Sequence, residues 1–339
     1  MPVLFTTITG FIGCAGVIFF SGKNLAKYGD LIAGGLGLGK AWIGVILLAS
    51  VTSLPELTVG ISSVTIEKSA NLAVGDVLGS CVFNLLILSM LDLLVKKQSL
   101  LSHVSPSQIM AGSMSIILVT IAGAGIFLPM DIIVSSWMGI TSFLFIIGYF
   151  VAMRMIYKND RRQVHDPVPE PSAIRIRSAA DLQKAVGYFV LHAGIVVVAG
   201  FFLPYFAAGI SASTGLGQSF VGTLFLAAST SFPEIAVSFT AVRAGYMDMA
   251  VGNLLGSNIF NILILSIDDL FYSKGHLLKD ASDTNLVSVF SVIIMTSIVI
   301  AGLNYGDKAK KRFYLAADTL LILLVYVINL FLLYNLRGQ

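Results

Sequence analysis

The chain carries very little charge. Lysine, arginine, aspartate and glutamate make up only 12% of its 339 residues, about half the share found in soluble domains. Hydrophobic residues make up 56%, and the mean hydropathy is +0.90. This composition excludes an ordinary soluble domain and gives no reason to expect a nucleic-acid partner. It indicates a polytopic membrane protein whose surroundings are the lipid bilayer.

Cysteine is also scarce. The two cysteines, Cys14 and Cys81, both lie in apolar segments, so no disulfide framework is expected. The sequence has no C-x-x-C motif or Cys/His cluster that would indicate zinc, and we expect no resident cofactor. The first apolar run, from residue 3, lacks a basic leader and a small-residue cleavage site. It is therefore interpreted as a membrane span rather than a removable signal.

Apolar runs predict an all-α membrane protein with ten transmembrane helices. These helices are expected near residues 3–21, 41–66, 70–94, 106–128, 131–156, 184–208, 216–243, 248–272, 285–303 and 312–335. One long polar stretch with three prolines, 157–183, separates the fifth helix from the sixth. The predicted organisation is a first five-helix repeat (1–156), a linker (157–183) and a second five-helix repeat (184–339).

The basic residues predict the orientation. Of the 21 lysines and arginines, only Lys68, Lys274, Lys279 and Arg337 fall on the side opposite the linker. Because cytoplasmic loops carry the excess of lysine and arginine, the linker is expected in the cytoplasm and both termini outside. A multi-pass protein of a prokaryotic inner membrane is expected.

Two sequence blocks occur twice. "GLGKAWIGVILLASVTSLPE" (37–56) matches "GLGQSFVGTLFLAASTSFPE" (215–234) at 10 of 20 positions, with an offset of 178. "AVGDVLGSCVFNLLILSMLDLL" (73–94) matches "AVGNLLGSNIFNILILSIDDLF" (250–271) at 14 of 22, with an offset of 177. Five helices separate equivalent points, and five is odd, so the halves are predicted to cross the membrane in opposite directions. Inverted repeats of this kind are typical of secondary transporters.

The first block places a proline and a glutamate in the middle of an apolar span. Glu56 and Glu234 fall near the centres of the second and seventh predicted helices. A charge at that depth costs at least about 2.5–3.5 kcal/mol, so it usually faces a cavity or a partner. The preceding residues, Pro55 and Pro233, have no N–H and each leave a backbone carbonyl without its helical donor. We therefore predict that helices two and seven are broken at these points.

Hydroxyl groups accompany each glutamate: Thr52 and Ser53 in the first copy, and Thr230 and Ser231 in the second. Carboxylate, hydroxyl and carbonyl oxygens are hard ligands that suit Ca²⁺, Na⁺ or Mg²⁺. The pattern predicts one oxygen-lined cation site. The alternative is that each proline is a packing kink and each glutamate an interfacial residue, but two antisymmetric mid-span copies favour the site.

The second block adds Asp76 and its counterpart Asn253. Each lies in a G-x-x-x-G frame, formed by Gly75 and Gly79 or by Gly252 and Gly256. Such spacing allows helices to approach closely, which would bring both side chains towards the broken helices. With the two glutamates, Asp76 makes three potential negative charges: two could neutralise a divalent ion, and the third leaves room for competing Na⁺ or H⁺. Ordinary helix packing explains the glycines equally well.

These blocks resemble the two alpha-repeats of the sodium/calcium exchanger family, within the calcium/cation antiporter superfamily. The residues that carry the resemblance are "TSLPE" and "TSFPE", then "GDVLGSCVFN" and "GNLLGSNIFN". The resemblance implies an antiporter that exports Ca²⁺ against Na⁺ by alternating access, with helices one and six sliding against a fixed core. By matching position it implies cation ligands at Glu56, Glu234, Thr52, Ser53, Thr230, Ser231 and the carbonyls of Ala49 and Ala227, flanked by Asp76 and Asn253.

The chain departs from this family pattern in three ways. Related archaeal exchangers carry the amide in the first repeat and the aspartate in the second, so the order of Asp76 and Asn253 is swapped. Leu72 and Met249 stand where a serine is often found, and Cys81 stands where asparagine is expected. Without these serine hydroxyls, the outer Na⁺ sites of the family would lack oxygen ligands in this chain. A Ca²⁺/H⁺ antiporter, or another divalent cation/H⁺ antiporter, on the same scaffold therefore remains the alternative.

Two other classes fit less well. An intramembrane aspartyl protease, suggested by "VGDVLG", needs two opposed aspartates, and position 253 is asparagine. A cation channel is the more distant alternative for the transport function, because channels usually build filters from symmetric subunits. Outside the site, we expect His192 to be a packing residue. Asp92, Asp268 and Asp269 are expected near the membrane interface, in cap or loop contacts.

Overall fold

The computed structural model describes residues 2–35, 49–95, 98–128, 133–135, 138–162, 179–305 and 316–336. The described chain is helical apart from one short β-hairpin. Its long helices are α1 (Pro2–Gly35), α2 (Leu54–Thr65), α3 (Ala70–Asp92), α4 (Gln108–Phe127), α5 (Ile140–Arg162), α6 (Ala179–Thr214), α7 (Gln218–Thr230), α8 (Phe232–Arg243), α9 (Met247–Phe271), α10 (Leu286–Tyr305) and α11 (Ala317–Asn335). Short 3₁₀ turns are found at Leu100–His103 and Asp283–Asn285, and α7 contains a π-helical stretch at Gly222–Leu226.

Within the described ranges, eight helices are long and apolar enough to cross a membrane, or nine if the bent pair α7 and α8 forms one span. The protein is therefore a multi-pass membrane protein. Helix α2 has only 12 residues, and it is the second half of the span predicted over 41–66. Residues 41–48 of that span lie outside the described part of the chain, as do 312–315 at the start of the predicted tenth span.

Several predicted boundaries differ from the structure. Helix α1 continues to Gly35, well past the predicted end at residue 21. Helices α5 and α6 extend into both ends of the predicted linker, whose central residues 163–178 lie outside the described ranges. The fifth helix was predicted to begin at residue 131, and this is wrong. The antiparallel strands Ile133–Ser135 and Met138–Gly139 come first, because the β-branched residues at 133 and 134 suit extended backbone.

Helices α3 and α9 form the centre of the fold. Buried side chains make up 89% of the apolar stretch of α3 and 83% of that of α9, against 22% in α1, α6 and α11. Helices α1 and α6 pack together beside this core, in a second apolar cluster that includes Ile18 and Leu203. The repeated block that carries Asp76 and Asn253 thus occupies the two most enclosed helices.

The ends of α3 and α9 are fixed by matching carboxylates. Asp92 accepts a hydrogen bond from the N–H of Leu100 at 2.7 Å, and Asp269 accepts one from the N–H of Leu277 at 2.8 Å. In both cases the donor lies eight residues further along the chain. The expected loop contacts of these two aspartates are confirmed. Asp268 makes no such contact, so the prediction for that residue is wrong.

Candidate cation-binding site

The chain breaks its helical path at two equivalent serines. Ser53 has φ −85° and ψ 13°, and Ser231 has φ −80° and ψ 10°. A proline follows two residues later in each case, at the start of a new helix where its missing N–H costs least. Helices α7 and α8 meet at 49° across the second break. The predicted interruption of helix seven is therefore confirmed, and the same backbone change occurs before α2.

The serine at each helix break donates a hydrogen bond to the glutamate of the other half. The hydroxyl of Ser53 donates to Oε1 of Glu234 at 3.3 Å, and the hydroxyl of Ser231 donates to Oε1 of Glu56 at 3.3 Å. All four side chains are fully buried. The sequence places each serine three residues before a glutamate on its own helix, but the structure pairs it with the glutamate of the other half. The two halves therefore form one centre.

The threonine hydroxyls extend this centre onto α3 and α9. Thr230 donates to Oδ1 of Asp76 at 3.3 Å and lies 3.2 Å from the hydroxyl of Ser80. Thr52 lies 3.5 Å from the hydroxyl of Ser257, which donates to Oε1 of Glu234 at 3.3 Å. Sequence reasoning missed both Ser80 and Ser257. A signal was present, because these serines occupy the same position in the two copies of the second block.

The backbone carbonyls of Ala49 and Ala227 lie at the two breaks. Ala49 accepts the N–H of Ser53 at 3.0 Å and the hydroxyl of Thr52 at 3.2 Å. Ala227 accepts the N–H of Ser231 at 3.0 Å, and its oxygen lies 3.3 Å from the hydroxyl of Thr230, whose one proton is shared between this carbonyl and Asp76. A carbonyl oxygen has two lone pairs, so both are in use here. Either oxygen could bind a cation if the threonine hydroxyl turned away.

The site departs from two-fold symmetry at Asn253. Its amide nitrogen donates to the hydroxyl of Ser238 at 3.2 Å, and this hydroxyl donates to the carbonyl of Ala250 at 3.4 Å. The position equivalent to Ser238 in the first half is Gly60, which offers no hydroxyl. Asp76 therefore turns to the threonine of the broken helix, whereas Asn253 turns to α8.

Four oxygens of the site accept no hydrogen bond. They belong to the three acidic residues and the asparagine: Oε2 of Glu56, Oε2 of Glu234, Oδ2 of Asp76 and Oδ1 of Asn253. Buried acceptors of this kind are costly unless a donor or a cation satisfies them. Among the described residues, no three His, Cys, Asp or Glu side chains are grouped to hold a metal ion. A cation would therefore also need hydroxyl and amide oxygens, which suits hard ions and not zinc.

Glycines bring α3 against the broken helix. A Cβ on Gly79 would lie 2.8 Å from the carbonyl oxygen of Thr223, and a Cβ on Gly75 would lie 3.3 Å from the Cα of Gly222. The backbones of α3 and α7 are thus in contact, as the G-x-x-x-G spacing of Gly75 and Gly79 predicted. This contact places Asp76, between those glycines, within reach of the break.

A second set of polar contacts joins α3 to α9. Asn84 donates from its amide nitrogen to Oδ1 of Asn258 at 2.9 Å, and Asn258 donates to the carbonyl of Cys81 at 3.2 Å. The thiol of Cys81 lies 3.8 Å from the carbonyl of Asn258. Cys81 departs from the family pattern, but it still takes part in the contact between α3 and α9, as its counterpart Asn258 does.

His192 lies outside this centre. Its ring stacks on Tyr28 of α1, with centroids 6.1 Å apart and planes at 13°. Tyr28 in turn stacks on Tyr188 of α6 at 5.1 Å. The histidine thus contributes to the contact between α1 and α6, in agreement with the predicted packing role.

A membrane-spanning helical fold with buried oxygens at two opposed helix breaks is typical of transport proteins. Residues 3–158 and 184–335 match the family described as sodium/calcium exchanger protein, and the chain belongs to this family. The resemblance inferred from the repeated blocks is confirmed. Exchangers of this type are cation antiporters.

Relatives and solved structures agree with this assignment. The chain is 24% identical to the inner membrane protein YrbG of Escherichia coli (strain K12), over 84% of each chain. It is 37% identical to the sodium/calcium exchanger MaX1 of Methanosarcina acetivorans over 87 residues, which cover 25% of this chain and 23% of that protein. The fold matches a solved structure of the sodium-calcium exchanger NCX_Mj with a TM-score of 0.62 and 21% identity, covering 96% and 98% of the two chains.

Proposed function

We propose that this protein exchanges Ca²⁺ for Na⁺ across the membrane and exports Ca²⁺ from the cell. The observation that carries the proposal is the set of four buried oxygens without donors, contributed by Glu56, Glu234, Asp76 and Asn253. The four surrounding hydroxyls, of Thr52, Ser53, Thr230 and Ser231, are fully buried as well. Ca²⁺ takes six to eight oxygen ligands at about 2.3–2.6 Å, and this centre offers that chemistry.

The proposed architecture is ten spans arranged as two inverted five-helix repeats, 1–156 and 184–339, joined by a cytoplasmic linker at 157–183. Matching contacts between the halves support it. A Cβ on Gly22 of α1 would contact Pro233, and a Cβ on Gly200 of α6 would lie 3.8 Å from the carbonyl of Pro55. Gly22 and Gly200 are separated by 178 residues, the same offset as the two prolines.

Both termini are then outside, because each half has five spans and the excess of basic residues lies on the linker side. An inner-membrane location is proposed by analogy with YrbG, which is called an inner membrane protein.

Exchange requires that Ca²⁺ and the counter-ion exclude each other. Glu56 and Glu234 supply two negative charges, which neutralise one Ca²⁺. Two Na⁺ ions, or two protons, can neutralise the same two carboxylates, so a single set of ligands binds either cargo but not both. An unpaired buried charge is costly, so the helices can close over the centre only when a cation has neutralised its carboxylates. The empty centre then cannot change sides, and antiport follows.

Helices α1 and α6 are the proposed moving element. They lie at the side of the fold and share a second apolar cluster with single residues of α2 and α3, and they cover the two breaks through Gly22 and Gly200. At these two points glycine leaves no side chain between the moving pair and the breaks. Movement of this pair would expose the centre to one side of the membrane and then to the other.

A Ca²⁺/H⁺ antiporter is the second candidate, and a specific observation favours it. Leu72 is fully buried and belongs to the apolar cluster that contains Val59 and Leu203. An apolar side chain at this position provides no oxygen for an additional Na⁺ beside the centre. Protons need no such ligands, because they bind to the carboxylates themselves.

Uptake of ⁴⁵Ca²⁺ into proteoliposomes tests these proposals. Vesicles loaded with Na⁺ are compared with vesicles that carry only an outward proton gradient, each with a matched sample whose gradient has been collapsed. Uptake driven by Na⁺ supports the first candidate, and uptake driven only by protons supports the second. Equal uptake in the collapsed samples would contradict antiport and indicate a channel.

A further inference from the structure

Asp268 is a buried acid that the proposed exchange site does not use. It lies on α9, its side chain is fully buried, and neither carboxylate oxygen has a hydrogen-bond partner. Its neighbour Asp269 is also buried but accepts three hydrogen bonds, from the N–H of Gly139, the hydroxyl of Ser142 and the N–H of Leu277. Asp269 therefore fixes the neighbouring segments by hydrogen bonds. Asp268 makes no hydrogen bond of this kind.

The carboxylate of Asp268 packs directly on α2. A Cβ placed on Gly60 would lie 2.8 Å from Cγ of Asp268 and closer still to both of its oxygens. Only glycine leaves room for the carboxylate there. Gly60 lies four residues after Glu56, which is one helical turn. Asp268 thus touches the same helix that presents Glu56 to the cation site.

The second half of the chain does not repeat this contact. The residue equivalent to Asp268 in the first half is Leu91, and the residue equivalent to Gly60 in the second half is Ser238. At the equivalent position of the first half, the fold therefore accommodates an apolar side chain. The fold therefore does not require a carboxyl group at position 268. The presence of an acid there calls for a role other than packing.

The electrostatic surroundings are unfavourable to a negative charge. Asp76 of α3 and Asp269 of α9 itself lie close enough to repel a negative charge on Asp268. The one titratable residue of α2 is Glu56, which is also acidic. An ionised carboxylate that is buried without donors or a counter-ion is too costly to persist. Contact with the Gly60 backbone is compatible with the neutral, protonated group.

We propose that Asp268 is a proton-binding residue that keeps α2 seated on α9, so that pH regulates the exchange site through Glu56. The protonated side chain packs on Gly60 as in this structure. Loss of the proton creates a charge that must reach water, which separates α2 from α9 and displaces Glu56. This inference rests on the proposed function, since the regulated property is Ca²⁺ binding. Asp268 is a positioning residue and does not contact the cargo.

Thermal unfolding of purified protein at pH 6 to 9.5, without Ca²⁺ or Na⁺, tests the proton site alone. Asp268→Asn mimics the protonated group, so its Tm should exceed that of wild type by an amount that grows with pH, to about 2 °C or more. Asp92→Asn is the matched control, because Asp92 is equally buried but hydrogen-bonded; it should show no such gain. Parallel Tm curves for wild type and Asp268→Asn would overturn the proposal.

Binding of ⁴⁵Ca²⁺ to the same samples tests the regulation. Wild-type Kd should rise at alkaline pH, by up to about tenfold per pH unit for one linked proton, and Asp268→Asn should remove this rise. If Asp268→Asn folds poorly, Asp268→Leu, which copies the apolar side chain of the counterpart Leu91, replaces it with the same expectation. An alkaline rise unchanged in the variant overturns the regulatory role. Absence of Ca²⁺ binding to wild type at every pH contradicts the proposed function, while the Tm series still decides whether Asp268 binds a proton.

Discussion

Replacing Glu234 with glutamine removes one charge from the centre and leaves its shape almost unchanged. Oε1 of Glu234 accepts hydrogen bonds from Ser53 and Ser257, both at 3.3 Å. Glutamine keeps an oxygen that can accept both bonds, so the helix break and its hydroxyls should stay in place. Oε2 has no partner, so the amide nitrogen of glutamine adds a donor where the proposed cation would bind.

The magnitude follows from the lost charge. A single charge pair about 4 Å apart contributes about 4 kcal/mol at an effective dielectric constant of about 20, and a Ca²⁺ ion doubles the charge on one partner. Since about 1.4 kcal/mol corresponds to a tenfold change in Kd, Glu234→Gln should weaken Ca²⁺ binding at least about 1,000-fold. Ser257→Ala removes one hydroxyl but no charge, so we expect a smaller loss, about 10- to 100-fold, from a hydrogen bond to a charged group.

The assay is equilibrium binding of ⁴⁵Ca²⁺ to purified protein, together with the Ca²⁺-dependent rise in Tm. Binding to the folded state alone raises stability in proportion to the logarithm of ligand concentration over Kd, so wild type should gain Tm with Ca²⁺ and Glu234→Gln should not. The Tm of the two proteins without Ca²⁺ should be similar. A Glu234→Gln protein that binds Ca²⁺ within tenfold of wild type would refute the assignment of this residue.

Three further predictions concern neighbouring features. Gly79→Ala should lower Tm, because its Cβ would lie 2.8 Å from the carbonyl oxygen of Thr223, whereas Gly13→Ala, with nothing within 4 Å of its Cβ, should not; equal Tm values would contradict the close contact. Asn253→Asp should change the ratio of Na⁺-driven to H⁺-driven ⁴⁵Ca²⁺ uptake, and an unchanged ratio would show that this position is neutral. Asp92→Asn should lower the free energy of unfolding by about 1.5–3 kcal/mol, through weakened bonds to backbone N–H groups, without altering Ca²⁺ affinity; a changed Kd would contradict a purely structural role.

Much of the fold follows from the sequence because membrane spans leave a strong signal. Long apolar runs and a mid-span proline depend only on composition and spacing, and each predicted a feature that the structure contains. The break falls at Ser53 and Ser231, two residues before each proline. This location is expected, since proline disturbs the turn that precedes it.

The pairing inside the site could not be predicted in the same way. Helical spacing places Ser53 near Glu56 on one helix, but the hydroxyl of Ser53 donates to Glu234. Which half supplies the donor depends on how two distant segments meet, and local periodicity carries no information about that. Asp268 was misplaced for a related reason: its distance along α9 predicts membrane depth, but packing against Gly60 decides whether water reaches it.

The differences between the halves bear directly on coupling. If movement of α1 and α6 exposes the centre to each side in turn, as proposed, identical halves would present identical sites to the two sides of the membrane. Asp76 of the first half has Asn253 as its counterpart, and Asp268 of the second half has Leu91, so each half carries one acidic group that the other lacks. Exposure of Asp268 to water is then favoured by high pH, and its packing against Gly60 is favoured by low pH. The pH would therefore act on the two halves unequally, even where Na⁺ is the ion that replaces Ca²⁺.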